Sequence, residues 1–362
     1  MSMRVKRRVT AKYTAIDLFC GCGGLTQGLK EAGFSILAGI DSDALAIETY
    51  RKNHRKPLAI KSSVYRITGT RLLRLLGLKP GQLDLLAGCP PCQPFSELRR
   101  KKGTGAVRDK AMKDMVLRFL YFVRELKPKC VLIENVPYLI RDKRMSHVRA
   151  CMRSMGYHGT AEIKDAYEYG VPQRRKRMVY MAKLNGPLPM VRPLDQKERI
   201  TVRKTIGNIP KVGTSGDPLH DLGSNHSETV LKILRTIPKN GGSRNSLPKS
   251  MRLHCHLHTN GFSDVYGRMA WDGPSPTITG GCINPSKGRY IHPEENRAIS
   301  LREAALLQSF PIGYYISLKN GKYAAAQMIG NAFPPLFGKF HGIAIKASLR
   351  SKNNSISRGA TL

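Results

Sequence analysis

A short loop with two cysteines is the first place where this sequence could do chemistry. A strand-like apolar run is followed by Gly88-Cys89-Pro90-Pro91-Cys92-Gln93-Pro94-Phe95-Ser96, whose prolines restrict the backbone. A Cys-x-x-Cys pair can be half of a zinc site, a redox pair or a rigidly held nucleophile. The sequence has no second Cys-x-x-Cys and no Cys/His pair at zinc spacing beside it. We therefore favour a nucleophilic cysteine and expect no metal in this loop.

A carboxyl group and a basic segment follow at two later strand ends. Glu134 comes after the apolar residues 131–133, so we expect a partly buried carboxyl that stays protonated and donates to a ring nitrogen. An ordinary salt-bridged Glu is the alternative. The segment 173–177, QRRKR, begins the last strand-like run, and in a strand Arg175 and Arg177 share one face. A solvated basic edge strand is the alternative there.

A glycine-rich loop provides a candidate ligand site. The first predicted strand runs into Asp17-Leu18-Phe19-Cys20-Gly21-Cys22-Gly23-Gly24, and glycines in such a turn let the backbone approach a ligand closely. The spacing is not G-x-G-x-x-G, so a dinucleotide is not favoured. Asp41, at the end of the second predicted strand, can accept hydrogen bonds from ribose hydroxyls. These residues suggest an adenosyl-type cofactor. The alternative is a plain tight turn, with Asp41 capping the next helix.

The elements that must position these residues alternate between strands and helices in the N-terminal half. This order predicts a mostly parallel sheet with helices on both faces. The predicted strands are 14–19, 35–41, 58–64, 83–88, 130–136 and 177–184. The predicted helices are 25–32, 43–54, 70–76 and 115–126. The candidate loops follow strands at their carboxyl ends, where open α/β sheets bind ligands.

The C-terminal half has a different composition. Residues 186–290 are rich in Pro, Gly, Ser, His and Asn and lack a sustained helical period, which indicates a second, loop-rich domain. Helices are predicted again at 300–308, with Ser300 and Glu303 as a capping box, and at 334–349.

Charge and composition narrow the class of protein. The 362 residues carry a formal net charge of +36, which favours a polyanionic partner, most commonly nucleic acid. A general composition bias is the alternative. The eight cysteines, with no secretory signal before them, predict free thiols. No apolar stretch is long enough for a membrane span, so we expect a cytoplasmic protein without a membrane partner.

Taken together, these motifs resemble the DNA (cytosine-5) methyltransferases of bacterial or phage type. The family's motifs appear in order and at fitting spacing: DLFCGCGG at 17–24, PPCQPFS at 90–96, ENVP at 134–137, QRRKR at 173–177, RE…LQSFP at 302–311 and GNAFPP at 330–335. One such motif is a weak pattern, but six in order are specific. The resemblance implies an α/β fold, with an S-adenosylmethionine-dependent methyltransferase (Rossmann-like) sheet and a smaller, loop-rich target-recognition domain.

The same resemblance suggests a division of the chain. Residues 1–185 would form the catalytic domain, and 186–290 the target-recognition domain. Residues 291–329 would form a hinge and return helix, and 330–362 would complete the catalytic domain. Residues 97–114 match a loop that closes over DNA in the family.

The resemblance also implies roles for individual residues. Cys92 would be the nucleophile that attacks carbon 6 of cytosine, and Glu134 would contact the ring nitrogen and exocyclic amine. Arg175 and Arg177 would hold the cytosine carbonyl and nearby groups. Asp41 would bind the cofactor ribose. The full S-adenosylmethionine site would comprise Asp17, Phe19, Gly21, Gly23, Gly24, Asp41, Ser42, Ser63, Pro90 and Asn331.

Two positions depart from the family pattern. Ser42 stands where the family often has a bulky residue that packs on adenine. Ser63, expected at the end of the third strand, stands where the family often has an Asp that contacts the adenine amine. These departures weaken the expected cofactor contacts without changing the cofactor's identity.

The implied partner is double-stranded DNA, with the protein acting as a nucleoid-associated monomer. It would act either in restriction-modification, with a cognate restriction endonuclease that acts separately, or in orphan methylation. One alternative is a tRNA cytosine-5 methyltransferase on the same scaffold, but Ser96 and the lack of Cys-Phe-Thr argue against that subfamily. A catalytically silent DNA-binding protein is a second alternative, although Cys92, Gln93 and Glu134 are all present. A metal site at residues 254–258, HCHLH, is a third alternative.

Overall fold

The computed structural model describes residues 13–91, 115–223, 226–252 and 264–356. Cys92, the loop at 97–114 and the cluster at 254–258 lie outside these residues. The chain divides into two compact units. The first comprises residues up to 165, residues 176–193 and residues from 335 onward, and the second comprises 166–175 and 194–334. Within each unit, the backbone positions contact one another more densely than they contact the other unit. The recognition role of residues 186–290 stays a prediction.

The first unit is built on one seven-stranded sheet with the order β3-β2-β1-β4-β5-β7-β6. Strands β1 to β5 pair in parallel, and β7 runs antiparallel to β5 and β6. The strands are β1 (Thr14–Leu18), β2 (Ser35–Asp41), β3 (Leu58–Lys61), β4 (Leu85–Gly88), β5 (Cys130–Asn135), β6 (Tyr157–Asp165) and β7 (Lys176–Leu184). The predicted mostly parallel sheet is confirmed.

Three details differ from the predicted strands. The sequence pattern did not predict β6. The third strand ends at Lys61, so Ser63 lies in the turn after it rather than at its end. The last strand begins at Lys176, so the prediction that Arg175 and Arg177 share a strand is wrong for Arg175. Residues 173–175 are held elsewhere, because Arg174 N donates to Ser275 O at 2.9 Å.

Helices connect the strands and continue through the second unit. They are α1 (Gly24–Glu31), α2 (Ala44–Asn53), α3 (Gly69–Leu76), α4 (Met115–Leu126), α5 (Lys143–Ser154), α6 (Val202–Ile206), α7 (Pro218–Asp221), α8 (Glu228–Thr236), α9 (Leu301–Leu307), α10 (Gly321–Asn331) and α11 (Pro335–Ile356). Among the described residues, none of these helices is long and apolar enough to cross a membrane.

Helices cover both faces of the sheet. Alternation along the strands directs Ile16 and Ile133 to one face, where they share a buried cluster with residues of α3, α4 and α5. The other face is covered by α1, α2 and α11, and Lys183 Nζ of β7 donates to Ser348 O of α11 at 2.7 Å. Helices α1 and α11 approach so closely at Gly28 that a Cβ there would lie 2.2 Å from Pro335 O.

The second unit consists mainly of short helices, single turns and irregular segments. Its predicted capping box at α9 is confirmed: Ser300 Oγ accepts from Glu303 N at 3.1 Å, and Glu303 Oε2 accepts from Ser300 N at 2.7 Å. Helix α10 lies in a stretch where the sequence predicted no helix. Polar side chains are buried inside this unit, among them Gln173, Arg268 and Glu303.

Candidate active site

The register of the parallel strands brings three predicted motifs to one edge of the sheet. Leu18 of β1 lies opposite Gly88 of β4, and Gly88 lies opposite Ile133 of β5. The glycine loop, the Cys-Pro-Pro segment and Glu134 therefore leave the sheet side by side. This is the carboxyl edge, where open α/β sheets bind ligands.

The glycine loop has a strained backbone that is tied to its neighbours. Phe19, Gly21 and Gly23 all have positive φ, of 61°, 53° and 99°, a region that L side chains seldom adopt. Cys20 N donates to Ile40 O at 3.0 Å, and Gly23 N donates to Cys20 O at 2.9 Å. A Cβ at Gly21 would meet no atom within 4 Å. The loop therefore has a defined shape and leaves space beside its backbone.

Asp41 holds this loop from the neighbouring strand. Its Oδ2 accepts from Gly21 N at 2.9 Å and its Oδ1 accepts from Asp43 N at 2.9 Å. Burial raises the pKa of the Asp41 carboxyl. The cap of α2 is Asp43, which accepts from Ala46 N at 2.8 Å, so the alternative that Asp41 caps this helix is wrong. Each carboxylate oxygen keeps a further lone pair with which it can accept a hydroxyl.

Asp17 has a different environment from the other predicted cofactor residues. It is fully buried, and its Oδ2 accepts from Thr26 Oγ1 of α1 at 2.7 Å. Burial raises its pKa to about 7. This carboxyl supports the loop from inside the domain, and its position does not favour direct contact with a ligand.

The Cys-Pro-Pro segment is fixed to the adjacent strand. Pro90 is buried, and its carbonyl oxygen accepts from Asn135 Nδ2 at 3.0 Å. Cys89 is half-buried. Cys92 lies two residues beyond Pro90, outside the described residues, so its assignment as nucleophile stays a prediction. Asn135 therefore helps to fix the position of Pro90, two residues before Cys92 in the sequence.

Glu134 and Arg177 form an ion pair at the same edge. Arg177 Nε lies 3.0 Å from Glu134 Oε1, and both side chains are mostly buried. The antiparallel register places Glu134 opposite Val179, two residues from Arg177 on the same face of the strand. The alternative of a salt-bridged Glu describes this contact correctly. A carboxyl and a guanidinium are thus positioned together beside the Cys-Pro-Pro segment.

Arg175 belongs to the second unit and has other partners. Its Nη1 donates to Ile278 O at 3.0 Å, and its Nη2 donates to Gly330 O at 3.0 Å and Ala332 O at 3.3 Å. Gln173 beside it donates from Nε2 to Gln308 Oε1 at 2.9 Å. Residues of the motifs at 173–177, 302–311 and 330–335 thus meet in one buried network. These contacts do not support a role for Arg175 toward cytosine.

The remaining predicted cofactor residues are placed as follows. Ser42 is exposed immediately after Asp41, and Ser63 is half-buried, with its Oγ 3.3 Å from Tyr65 N. Asn331, the last residue of α10 in the second unit, is exposed and accepts from Gln327 Nε2 at 2.9 Å. These contacts do not test their cofactor roles.

Comparison with known proteins identifies this arrangement. The family model for C-5 cytosine-specific DNA methylases matches residues 13–347. The chain belongs to this family. The methylase is 35% identical over 346 residues to Type II methylase M.HgiDII of Herpetosiphon aurantiacus, covering 92% of this chain and 95% of the relative. It is 31% identical to Type II methyltransferase M1.HphI of Haemophilus parahaemolyticus, covering 90% and 84% of the two chains.

The fold of the methylase also matches solved structures. A DNA modification methyltransferase encoded within an E. coli prophage superposes with a TM-score of 0.71 at 21% identity, covering 93% of this chain and 99% of the other. The chain is a DNA cytosine-5 methyltransferase with a Rossmann-like methyltransferase fold.

Sequence reasoning missed several residues that shape the site of the methylase. In the sequence, Asn135 is recognisable only as part of the ENVP motif, although its amide fixes Pro90. The pairing of Gln173 with Gln308 joins positions far apart in sequence. Gln173 lies in the motif at 173–177 and Gln308 in the motif at 302–311, so membership of these motifs was the only sequence feature that marked them. No pattern in the sequence indicated His54, which contacts the glycine loop through Gly23 O.

Proposed function

We propose that the methylase transfers a methyl group from S-adenosylmethionine to carbon 5 of cytosine in a specific double-stranded DNA sequence. The reaction proceeds through base flipping and a covalent bond to Cys92. The observation that carries the proposal is the common sheet edge, where the glycine loop, the Cys-Pro-Pro segment and the Glu134–Arg177 pair leave the sheet together.

The chemistry explains the residue types at that edge. Carbon 5 of cytosine is a poor nucleophile. The Cys92 thiolate adds to carbon 6, and the electron pair displaced from the 5,6 double bond makes carbon 5 nucleophilic. When bound, S-adenosylmethionine supplies the electrophilic methyl group that carbon 5 takes up. Loss of the proton from carbon 5 then returns an electron pair to the ring and expels Cys92.

Glu134 and Arg177 would act on the polar edge of the base. A proton carried by the Glu134 carboxyl and donated to nitrogen 3 neutralises the negative charge that develops on the ring when the thiolate adds, and the other carboxyl oxygen accepts from the exocyclic amine. The guanidinium of Arg177, fixed 3.0 Å from Glu134, orients that carboxyl and can donate to the cytosine carbonyl. Arg175 would contribute indirectly, because its donors hold carbonyls of the second unit.

The residues present fit S-adenosylmethionine. The Asp41 carboxylate oxygens have lone pairs left to accept the ribose hydroxyls. The space beside Gly21 can take the methionine portion that the ribose carries. Ser42 and Ser63 offer the adenine only short hydroxyl side chains. Phe19, Gly23, Gly24 and Pro90 complete the site that we propose in the first unit.

The DNA side of the function follows from charge and family. A cytosine within a stacked duplex cannot reach Cys92, so the base must leave the stack. The net charge of +36 provides attraction for the phosphate backbone. We place sequence recognition in residues 186–290. Because the relatives are Type II methylases, we also propose that this methylase protects DNA beside a separate restriction endonuclease.

The test is bisulfite sequencing of DNA from cells that express the chain. We expect methylation within one short DNA sequence, none with Cys92→Ser, and most of it with the matched control Cys89→Ser. DNA containing 5-fluorocytosine should form a covalent complex, because fluorine cannot leave as the proton does, and peptide mapping should find the adduct at Cys92. Methylated tRNA with unmodified DNA would favour the alternative substrate, and an adduct at Cys89 would reassign the nucleophile.

A further inference from the structure

A histidine lies directly behind the glycine loop. His54, the residue after α2, is 1% exposed. Its Nε2 is 3.2 Å from Gly23 O, and its Nδ1 is 3.4 Å from Lys30 Nζ of α1. The ring thus connects the C-terminal end of α2 to the glycine loop and to α1, the helix that follows this loop.

The partners of His54 assign its hydrogen positions. A lysine ammonium only donates, so Nδ1 must accept from Lys30. The proton of the neutral ring is then on Nε2, from which it is donated to Gly23 O. Burial and the Lys30 charge lower the pKa of His54 to about 4, so the ring is neutral near pH 7. The hydrogen bond to Gly23 is therefore present over the physiological pH range.

Tyr50 holds the histidine ring in place. It lies one helical turn earlier in α2, is fully buried, and meets the His54 ring edge to face with centroids 4.8 Å apart. Its hydroxyl is 3.2 Å from Thr26 Oγ1, which in turn donates to Asp17. The Tyr50 hydroxyl can therefore donate to Thr26. The network links β1, α1 and α2 beneath the loop.

Gly23 is where this support matters most. Its φ is 99°, and its carbonyl also accepts the first hydrogen bond of α1, from Gln27 N at 2.8 Å. A glycine-rich loop loses much conformational entropy when it is ordered. If the Gly23 carbonyl is already fixed in the folded protein, the loop loses this entropy on folding rather than on ligand binding. The affinity for the ligand is then higher.

We propose that His54 is a positioning residue for cofactor binding, which acts by donating a hydrogen bond to Gly23 O and so pre-forms the glycine loop. This inference rests on the proposed binding of S-adenosylmethionine at that loop. It assigns His54 no contact with the cofactor or the reacting atoms. Its effect should therefore appear in cofactor affinity and in the KM for S-adenosylmethionine, with kcat at saturation preserved.

The experiment compares His54→Phe with His54→Gln. Phenylalanine keeps a ring against Tyr50 but has no donor, whereas the glutamine amide can place a donor near the position of Nε2. His158→Phe in the exposed part of β6 is the matched control. S-adenosylhomocysteine binding is measured by calorimetry, together with KM, kcat, DNA affinity and thermal unfolding.

We expect His54→Phe to weaken S-adenosylhomocysteine binding about tenfold, as for loss of one buried hydrogen bond. The KM for S-adenosylmethionine should rise by a similar factor, while kcat and DNA affinity stay within about twofold. His54→Gln should recover most of the affinity. If His54→Phe does not fold, Lys30→Met tests the same point, because without the Lys30 donor the proton can move to Nδ1, and binding should weaken about threefold.

Three results would overturn the inference. A folded His54→Phe protein that binds as tightly as wild type would show that the bond does not position the loop. A loss in His54→Gln as large as that in His54→Phe would show that restoring a donor does not restore binding, so the hydrogen bond to Gly23 O would not be the cause. A fall in kcat with unchanged KM would place the effect in chemistry. Wild-type protein that binds no S-adenosylhomocysteine would overturn the proposed function itself, and the positioning role with it.

Discussion

The first unit buries Ile16, Leu86 and Val131 in a sheet whose strands pair their own peptide groups, whereas the second unit buries Arg268 among irregular segments. Arg268 donates to the carbonyl oxygens of Glu295 at 2.7 Å and of Leu234 and His292 at 2.8 Å. In the sheet, the peptide N–H and C=O groups of neighbouring strands form hydrogen bonds with one another, so the side chains of the interior can be apolar. Where strands are lacking, buried carbonyls need donors from side chains.

Two buried carboxyl groups, one in each unit, also have different environments. Glu303 in the second unit is paired with Arg297 at 2.7 Å, and this pair holds the pKa of Glu303 below its usual range. Asp17 in the first unit accepts from the Thr26 hydroxyl, and burial raises its pKa to about 7. Of these two carboxyl groups, Glu303 is therefore stabilised in its charged form by Arg297, while burial of Asp17 favours the neutral acid.

The largest expected effect is from Arg268→Met. The substitution leaves several buried carbonyls without their donor, so we expect a loss of about 3–5 kcal/mol in the free energy of unfolding. Limited proteolysis should first cut within the second unit, at 194–334. The matched control is Arg203→Met, whose pair with Asp272 is exposed, so its loss should be much smaller than that of Arg268→Met. Equal losses in the two variants would remove the distinction between buried and exposed arginines.

The next effect concerns pH and Asp17→Asn. The folded-state pKa of Asp17 is about 7 and lies above that of an unfolded Asp. The folded state therefore binds the proton more tightly, and its stabilising contribution is lost as pH rises toward 7. Relative to wild type, Asp17→Asn should gain about 2–3 kcal/mol between pH 5 and pH 8, measured by urea unfolding at each pH.

Glu303→Gln is the opposing control for that measurement. Because the pKa of Glu303 is lowered, its contribution is present at neutral pH and is lost as pH falls through the folded-state pKa. Its amide variant should therefore be less stable than wild type at pH 8 and approach it in acid. If both amide variants followed one pH trend, the contrast between Asp17 and Glu303 would fail.

The smallest effects are expected at two helix caps. Ser300, 7% exposed, accepts from Glu303 N at the start of α9 and lies 2.8 Å from His220 Nδ1. Asp43, exposed at the start of α2, accepts from Ala46 N. We expect Ser300→Ala to cost about 1–2 kcal/mol and Asp43→Ala about 0.5–1 kcal/mol. Thermal unfolding of both variants measures the difference, and a larger loss at Asp43 would contradict the comparison.

Periodicity predicted most of the sheet because its strands are apolar runs between helices. Strand β6 escaped prediction because it lies at the sheet edge, where most of its residues, from His158 to Lys164, are at least partly exposed and no apolar alternation is needed. Helix α10 contains two glycines and follows a loop-rich segment, so its local propensity is weak.

The sequence predicted those site residues whose position depends only on the local strand or loop that contains them. Glu134 and Asp41 were correctly expected at strand ends. Their partners depend on register: Arg177 reaches Glu134 only because β7 is antiparallel to β5. No local sequence pattern indicates the roles of His54 and Arg268, because their hydrogen bonds join segments that are more than 20 residues apart. Cys92 lies outside the described residues, and its role is still a prediction.

The close approach of α1 and α11 at Gly28 has a consequence for synthesis on the ribosome. The residue that contacts Gly28 is Pro335, about 300 positions later in the chain. At about 5–20 residues per second, the helix that follows the glycine loop waits roughly 15–60 s for its partner to be translated. During that interval the nascent chain exposes an apolar face of α1, including Leu29, which is fully buried in the finished protein. Chaperone binding to the growing polypeptide should therefore be strongest before the last helix emerges.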